Sequence, residues 1–237
     1  MTVVDSAQRF GAAQRTRHWR RWLALAVVVA LVALAVWVVW FSSLLSVREV
    51  RVVGAVDVSA DAVRTAAAVP AGVALARVDV GGITARVAQI PQVASVEVRR
   101  GYPDVLVIVV TERAPVAVTR EGSELVYVDA TGARFGSMTV APQGMPFVAA
   151  SSDQALQSAA AVVAALPAQL RSTVTAVSAH SRDDVVLRLP DGATVQWGSA
   201  DQSDRKAAVL AALVHVRAAS YDVSAPDLPT SRGTLRP

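Results

Sequence analysis

Residues 105–118 read VLVIVVTERAPVAV, and this stretch decides how the chain divides. An apolar run ends at Thr111, an acid and a base follow, and Pro115 precedes a new apolar alternation. Proline has no N–H to give to a sheet ladder, so it belongs at a strand start or on an edge. We therefore predict that a strand ends at Thr111 and that residues 112–115 are a hinge into a second domain. The adjacent charges, Glu112 and Arg113, are interpreted as either a surface ion pair or a functional part of the hinge.

The stretch before the hinge predicts a small β-α-α-β-β domain of about 65 residues. The clearest signal for this domain is the start of its first helix. Ser59 can cap that helix, and Asp61 in the first turn suits the positive end of the helix dipole. The last strand, residues 104–111, is apolar on both faces, which predicts a central position in its sheet. The other predicted elements are strands at 47–54 and 95–100 and a second short helix from Gly81 to Ile90.

Beyond the hinge the chain predicts a mainly antiparallel β domain with two helices. Turn residues separate short apolar segments, as at Pro190-Asp191-Gly192. Residues 225–237 contain three prolines and little to bury, and we predict that this tail is disordered. The predicted strands are 116–120, 125–129, 133–135, 173–179, 185–189, 193–197 and 220–224, and the predicted helices are 153–166 and 201–219. The fold class is therefore α+β.

The N-terminal region predicts a membrane anchor. Residues 22–47 carry no charge, and about 20 apolar residues cross a bilayer core. Residues 1–21 hold five arginines against one aspartate, which predicts a cytoplasmic N-terminus and an extracytoplasmic remainder. A cleaved signal peptide is the alternative, but the apolar run is longer than a signal core of about 7–15 residues. The predicted division is 1–21 tail, 22–45 transmembrane helix from Trp22 to Leu45, 46–113 first domain, 114–224 second domain and 225–237 tail.

Composition excludes several functions. All of the net charge of +4 lies in the N-terminal tail, so nothing in the rest of the chain indicates a nucleic-acid surface. Without cysteine there are no disulfides, no thiol chemistry and no cysteine metal ligands. The three histidines, His18, His180 and His215, lack metal-ligand spacing, and we expect no metal, no cofactor and no small-molecule substrate.

One motif suggests catalysis. Ser203-Asp204-Arg205-Lys206 is an S-x-x-K, the nucleophile motif of serine penicillin-binding enzymes. The companion motifs S-D-N and K-T-G are missing, and the bland interpretation is a charged first turn of a helix. The alternative function is a membrane-anchored envelope enzyme that acts on peptidoglycan through Ser203 and Lys206.

In the order of its segments the chain resembles the FtsQ/DivIB family of single-pass cell-division proteins. The resemblance covers residues 15–228, and the order of anchor, one POTRA domain, E-R-x-P hinge and β domain is its specific feature. The matching stretches are Val47–Gly54, VDVS at 56–59, IPQVASV at 90–96, YPDVLVI at 102–108, TERAPVA at 111–117, LVYVDATG at 125–132, VQWG at 195–198 before Lys206, and YDVSAP at 221–226.

The resemblance implies a non-enzymatic, essential-type divisome scaffold at the septum. It implies that the protein gathers FtsB and FtsL and helps to control septal peptidoglycan synthesis. FtsB would add a strand beside the final β-strand, which is β-augmentation. The implied contact residues are Tyr221, Asp222, Val223 and Ser224, with Lys206, Leu210 and Arg217 of the preceding helix alongside. The alternative for this strand is an interior position with its edge covered by the tail.

Overall fold

A computed structural model describes residues 12–41 and 45–233. The chain forms two compact units. The first runs up to Gln89 and includes Ser95–Thr111, and the second contains Ile90–Ala94 and the chain from Glu112 onward.

The N-terminal helix α1 spans Ala12–Phe41 and is long and apolar enough to cross a membrane. Its apolar window is Arg21–Val38, with a mean hydropathy of 2.4, and Trp22 and Trp37 on it are exposed. The described helix ends at Phe41, and residues 42–44 of the predicted span, which was to end at Leu45, lie outside the described residues. Residues 1–11 of the basic tail also lie outside it, whereas residues 12–21 belong to α1.

The first unit has the predicted β-α-α-β-β order. Its three-stranded sheet has the order β1-β3-β2, with β1 parallel to β3, so the apolar strand β3 is central as predicted. Leu106 and Ile108 of β3 are fully buried. Its elements are β1 Glu49–Val53, α2 Ala60–Ala67, a 3₁₀ turn Leu75–Arg77, α3 Val80–Val87, β2 Val93–Gly101 and β3 Val105–Glu112.

Side-chain caps start the two short helices of this unit. Ser59 Oγ accepts a hydrogen bond from the Ala62 N–H at 3.1 Å, which confirms the predicted cap of α2. Asp79 accepts from the Gly82 N–H at 2.9 Å and caps α3, so this helix begins at Val80 and not at the glycine pair. Without a cap, the free N–H groups of such a short helix would depend on water alone.

The second unit is a nine-stranded sheet in the order β12-β11-β10-β9-β8-β7-β4-β5-β6. Five of its eight pairings are antiparallel, and β11 with β10, β7 with β8 and β7 with β4 are parallel. The strands are β4 Pro115–Glu121, β5 Glu124–Asp129, β6 Arg134–Met138, β7 Phe147–Ala150, β8 Ala176–Ser181, β9 Asp184–Arg188, β10 Thr194–Gly198, β11 Ser220–Asp222 and β12 Thr230–Arg232. The α+β class predicted from the sequence is confirmed.

Three helices accompany this sheet, and their apolar residues build the main core. They are α4 Asp153–Ala165, the four-residue α5 Ala168–Arg171 and α6 Ser203–Leu213. Leu156 and Val163 of α4, Leu210 of α6 and Trp197 of β10 all lie in this core and are essentially inaccessible to solvent. The predicted helix over 201–219 was too long, because the chain leaves α6 after Leu213.

The prediction of a disordered tail from residue 225 was wrong for its central part. Thr230–Arg232 forms β12, antiparallel to β11, with Tyr221 opposite Ser231. Two side-chain contacts shape the loop that leads to it: Asp222 Oδ1 accepts from the N–H and the hydroxyl of Ser224, and Arg205 of α6 forms an ion pair with Asp227. Backbone pairing holds this segment, so its lack of apolar residues does not prevent order. Residues 234–237 of the predicted tail lie outside the described residues.

Arg113 fixes the chain at the predicted hinge, residues 112–115. Its guanidinium pairs with Asp129, its Nε donates to the Pro91 carbonyl at 3.0 Å, and its backbone N–H donates to the Gln92 carbonyl at 2.8 Å. All four residues belong to the second unit. The ion pair of Arg113 with Asp129 is not a surface pair, because the Asp129 side chain is only 7% exposed.

Asp129 collects more donors than Arg113 alone. Its Oδ1 accepts from the Thr131 N–H at 2.8 Å, the Thr131 hydroxyl at 2.6 Å and the Ala133 N–H at 3.0 Å. Burial raises the pKa of the Asp129 carboxyl, but these hydrogen bonds and Arg113 together outweigh burial and hold the pKa below its ordinary value.

Replacing Asp129 by asparagine should therefore destabilise the second unit by about 2 kcal/mol near neutral pH, because hydrogen bonds to a charged group are lost. A depressed folded pKa contributes stability above the unfolded pKa of about 3.9, and this contribution disappears as the pH falls through the folded pKa. The difference in unfolding free energy between wild type and D129N, measured by urea titration, should shrink steadily below about pH 4. Asp183→Asn, at an exposed carboxylate, is the control and should change stability by less than about 0.5 kcal/mol. A D129N deficit that is equal at pH 3 and pH 7 would contradict this account.

Candidate partner-binding edge

The predicted contact residues on β11 lie inside the sheet. Strand β11 pairs with β10 on one side and with β12 on the other, so both of its edges are occupied. Tyr221 and Val223 are buried, and only Asp222 and Ser224 are exposed. The expectation that this strand offers an open edge is therefore wrong, and the alternative of an interior strand covered by the tail describes it.

Tyr221 and Val223 serve the domain's own structure. The Tyr221 hydroxyl donates to the Val216 carbonyl at 2.8 Å and accepts from the Ala218 N–H at 3.1 Å, which fixes the turn between α6 and β11. The Val223 N–H donates to the Gln196 carbonyl of β10 at 3.0 Å. Substitution at either position would disturb the fold before it disturbed any partner.

The predicted helix residues separate in the same way. Lys206 is 3% exposed and Leu210 is 1% exposed, so both belong to the interior of the unit. Arg217 is exposed but lies four residues beyond the end of α6. The three residues therefore do not form one surface beside β11.

The edge of the sheet next to the predicted site is β12. Thr230, Ser231 and Arg232 are all exposed, and the strand is last in the order of the sheet. A terminal strand presents backbone N–H and C=O groups that lack a neighbouring strand, which is the template for strand addition. Sequence reasoning missed β12 because it has no apolar alternation. The available signal was its bracketing by Pro229 and Gly233, since proline suits a strand start.

A shallow cavity of about 280 Å³ borders this edge. It lies on the sheet surface formed by consecutive partners in the register, where Gln196 is opposite Asp222 and Asp222 is opposite Thr230. Arg232 and Ser220 also line it. The cavity thus combines a carboxylate, a guanidinium, an amide and hydroxyls, groups that can select polar side chains on an added strand.

The S-x-x-K motif is held in a structural arrangement. The Ser203 hydroxyl donates to the Ala200 carbonyl at 2.7 Å and accepts from Trp197 Nε1 at 3.2 Å. Lys206 Nζ donates to the Ser199 carbonyl at 2.9 Å. Burial lowers the pKa of the Lys206 ammonium, and the charge of Asp201 partly opposes this shift. The side chains of Ser203 and Lys206 each stabilise the turn between β10 and α6. No contact between these two side chains supports a catalytic role.

Two histidines, His180 and His215, have side chains that the structure describes. His180 is exposed, and its Nδ1 lies 3.5 Å from Asp184 Oδ2. His215 is exposed just beyond α6. In the described ranges, residues 12–41 and 45–233, no three His, Asp or Glu side chains lie close enough to hold a metal ion.

The described residues combine an apolar helix long enough to span a membrane, a β-α-α-β-β unit and a β-rich unit, and this architecture fits the class of single-pass membrane proteins. The comparisons with known proteins agree. The family "POTRA domain, FtsQ-type" matches residues 45–113, and "Cell division protein FtsQ/DivIB, C-terminal" matches residues 117–228. The chain belongs to the FtsQ/DivIB family of cell-division proteins, which supports a role in the divisome.

Individual relatives and one solved structure show how far this similarity extends. Cell division protein FtsQ of Streptomyces venezuelae is 39% identical over 186 residues, which are 73% of this chain and 69% of the relative. FtsQ of Mycolicibacterium smegmatis is 38% identical over 183 residues, 76% of this chain and 55% of that protein. The solved major extracytoplasmic domain of DivIB from Geobacillus stearothermophilus aligns with 45% of this chain and 98% of its own, at 20% identity and a TM-score of 0.35.

The role of Ser203 gives a test that separates structure from catalysis. Ser203→Ala leaves the fully buried Trp197 Nε1 without its acceptor, which should cost about 1–3 kcal/mol of unfolding free energy, measured by urea titration. Ser199→Ala is the matched control, because the Ser199 hydroxyl only contacts the exposed Asp201 and should matter little. Labelling of the wild type by a fluorescent β-lactam, lost in S203A, would contradict the structural interpretation.

Proposed function

We propose that the protein is a divisome scaffold that gathers the exported segments of FtsB and FtsL and thereby helps to control septal peptidoglycan synthesis. FtsB adds a strand to the outer edge of β12. The observation that carries this proposal is the exposed terminal strand Thr230–Arg232 at the end of a nine-stranded sheet in a chain of the FtsQ/DivIB family.

The proposed contact, on β12, lies one strand away from the residues that the resemblance implied. Tyr221 and Val223 act indirectly, because they hold β11 in place and β11 holds β12. Asp222 and Arg232, which line the cavity beside the edge, are the side chains that meet the partner. Lys206 and Leu210 support the turn and the core beneath this corner of the sheet.

The shortness of β12 sets the energetics. Three residues give few backbone hydrogen bonds, and each contributes about 0.5–1.5 kcal/mol net. Strand addition alone therefore gives weak binding, and the affinity must also come from side chains beside the edge. Tight assembly further requires membrane anchoring, because proteins in one bilayer meet at a high effective concentration.

Truncation tests the edge. A chain that starts at residue 1 and is truncated after Pro229 lacks β12, whereas a chain truncated after Gly233 retains it. The first should lose FtsB binding by at least about tenfold, or about 1.4 kcal/mol, and the second should bind like the wild type. Binding of the wild type and of both truncated chains, each with its membrane helix in nanodiscs, is measured against the exported segments of FtsB and FtsL.

Folding controls accompany this pair. The segment 230–233 is exposed and contributes nothing to the core, so thermal unfolding of the two truncated chains should agree closely. Equal FtsB binding by the two truncated chains would show that β12 is not the partner edge. Loss of binding in both would instead place the contact in residues 234–237.

The orientation of the chain is a second part of the proposal. The five arginines of residues 1–21 favour a cytoplasmic N-terminus, and both compact units then lie outside the cytoplasm at the septum. Alkaline phosphatase fused after residue 60 should be active, and the enzyme fused after residue 12 should be inactive. The reverse pattern would overturn the extracytoplasmic site of assembly.

A further inference from the structure

The first unit contains a cleft of about 450 Å³ that no contact described so far uses. It opens between the end of α2 and the beginning of α3. Part of its lining is apolar and turned inward, and part is charged and exposed. The apolar part is Val73, Val78 and Ile83, and the charged part is Arg77, Asp79 and Arg86.

The cleft lies at the membrane side of this unit. The chain resumes after α1 with Ser46 bridged to Ala74, and the Val47 N–H donates to the Val73 carbonyl at 2.9 Å. The 3₁₀ turn Leu75–Arg77 itself contacts α1. Four residues lie between Phe41 and Ser46, and the five Cα–Cα steps of a fully extended chain cover at most about 18 Å. The segment that forms one wall of the cleft is thus held close to the end of the membrane helix.

The charges around this wall are mostly positive. Arg86 Nε and Nη2 donate to the Ala67 carbonyl at 3.2 and 2.7 Å, which holds the guanidinium at the cleft. Arg100 donates to the carbonyls of Leu75 and Val78 at 2.8 and 2.9 Å, on the same segment. In the lining of the cleft itself, the guanidinium groups of Arg77 and Arg86 lie beside the carboxylate of Asp79. Guanidinium groups match phosphate oxygens in geometry and charge.

We propose that this cleft binds the headgroup of an anionic phospholipid from the leaflet on its own side of the membrane. The phosphate contacts Arg77 and Arg86, and the glycerol region covers Val73, Val78 and Ile83. An apolar lining beside fixed cations, within reach of a bilayer surface, suits an anionic amphiphile better than a free ion or a peptide. The contact restrains the first unit against the membrane. It depends on the membrane anchor alone and not on the β12 edge.

The absence of native cysteine allows a specific probe. Ala71→Cys places one fluorophore at an exposed residue between Pro70 and Val73. The labelled full chain is reconstituted in phosphatidylcholine nanodiscs that contain increasing fractions of phosphatidylglycerol. We expect the fluorescence to change and saturate as phosphatidylglycerol increases, and we expect R77Q/R86Q to raise the midpoint by about tenfold.

The matched control is R51Q/R99Q. Arg51 and Arg99 are exposed on the sheet of the same unit, paired with Glu49 and Glu97, so this variant removes the same charge elsewhere. Its midpoint should stay at the wild-type value. R77Q alone should also raise the midpoint, and it keeps the bond of Arg86 to the Ala67 carbonyl, which separates lipid binding from that structural bond. The thermal unfolding of R77Q is measured beside the midpoint.

Three outcomes would overturn the proposal. The first is a wild-type signal that does not depend on phosphatidylglycerol. The second is an equal shift in R51Q/R99Q, which would indicate attraction by overall charge and not by the cleft. The third is a full response to soluble glycerol phosphate in pure phosphatidylcholine nanodiscs, which would make the ligand a free phosphate compound.

Discussion

The geometry of the second unit depends on how Arg113 is held. One guanidinium joins the Asp129 carboxylate and the Pro91 carbonyl, and the backbone N–H of the same residue binds the Gln92 carbonyl. The carboxylate is nearly buried, so its charge must be compensated by donors, and Thr131 and Ala133 supply the rest. A pair that loses one member leaves an uncompensated charge, which costs far more than an exposed ion pair contributes. Arg113 and Asp129, the last residue of β5, therefore act as one structural element. Strand β4 begins beside this element at Pro115 and forms the first hairpin of the sheet.

The sequence predicted elements well wherever burial and local chemistry agreed. The apolar run before Thr111 is the central strand of its sheet, and Ser59 caps its helix with its hydroxyl. Two strands escaped prediction for different reasons. Strand β7 has four residues between Pro146 and Ser151 and gives no readable period, whereas β12 is polar throughout. Both are held by backbone pairing with other strands, β7 with β4 and β8 and β12 with β11, and the pattern of side chains within either strand does not record such pairing.

The sequence predicts the candidate edge only to within one strand. A family resemblance locates a function on a segment, but it does not say which residues of that segment are accessible. Tyr221 has the character of an interface anchor, since tyrosine is enriched in binding hot spots. Here its hydroxyl is used twice within its own domain, by Val216 and Ala218. A tyrosine can therefore be either an interface anchor or a core residue, and only its hydrogen-bond partners distinguish these two roles.

The character of β12 follows from a conflict that every open sheet faces. An exposed edge must be available to one partner and closed to others, since unpaired backbone groups promote aggregation. This strand is short, polar and flanked by Pro229 and Gly233, features that keep it a weak template for nonspecific pairing. Arg232 places a charge on the edge itself, and Asp222 places the opposite charge on the neighbouring strand. In the proposed strand addition, a partner strand has to satisfy both charges as well as the backbone, so specificity would come from side chains while the backbone supplies register. Weak intrinsic pairing is sufficient when the partners are anchored in the same membrane, because anchoring raises their effective concentration.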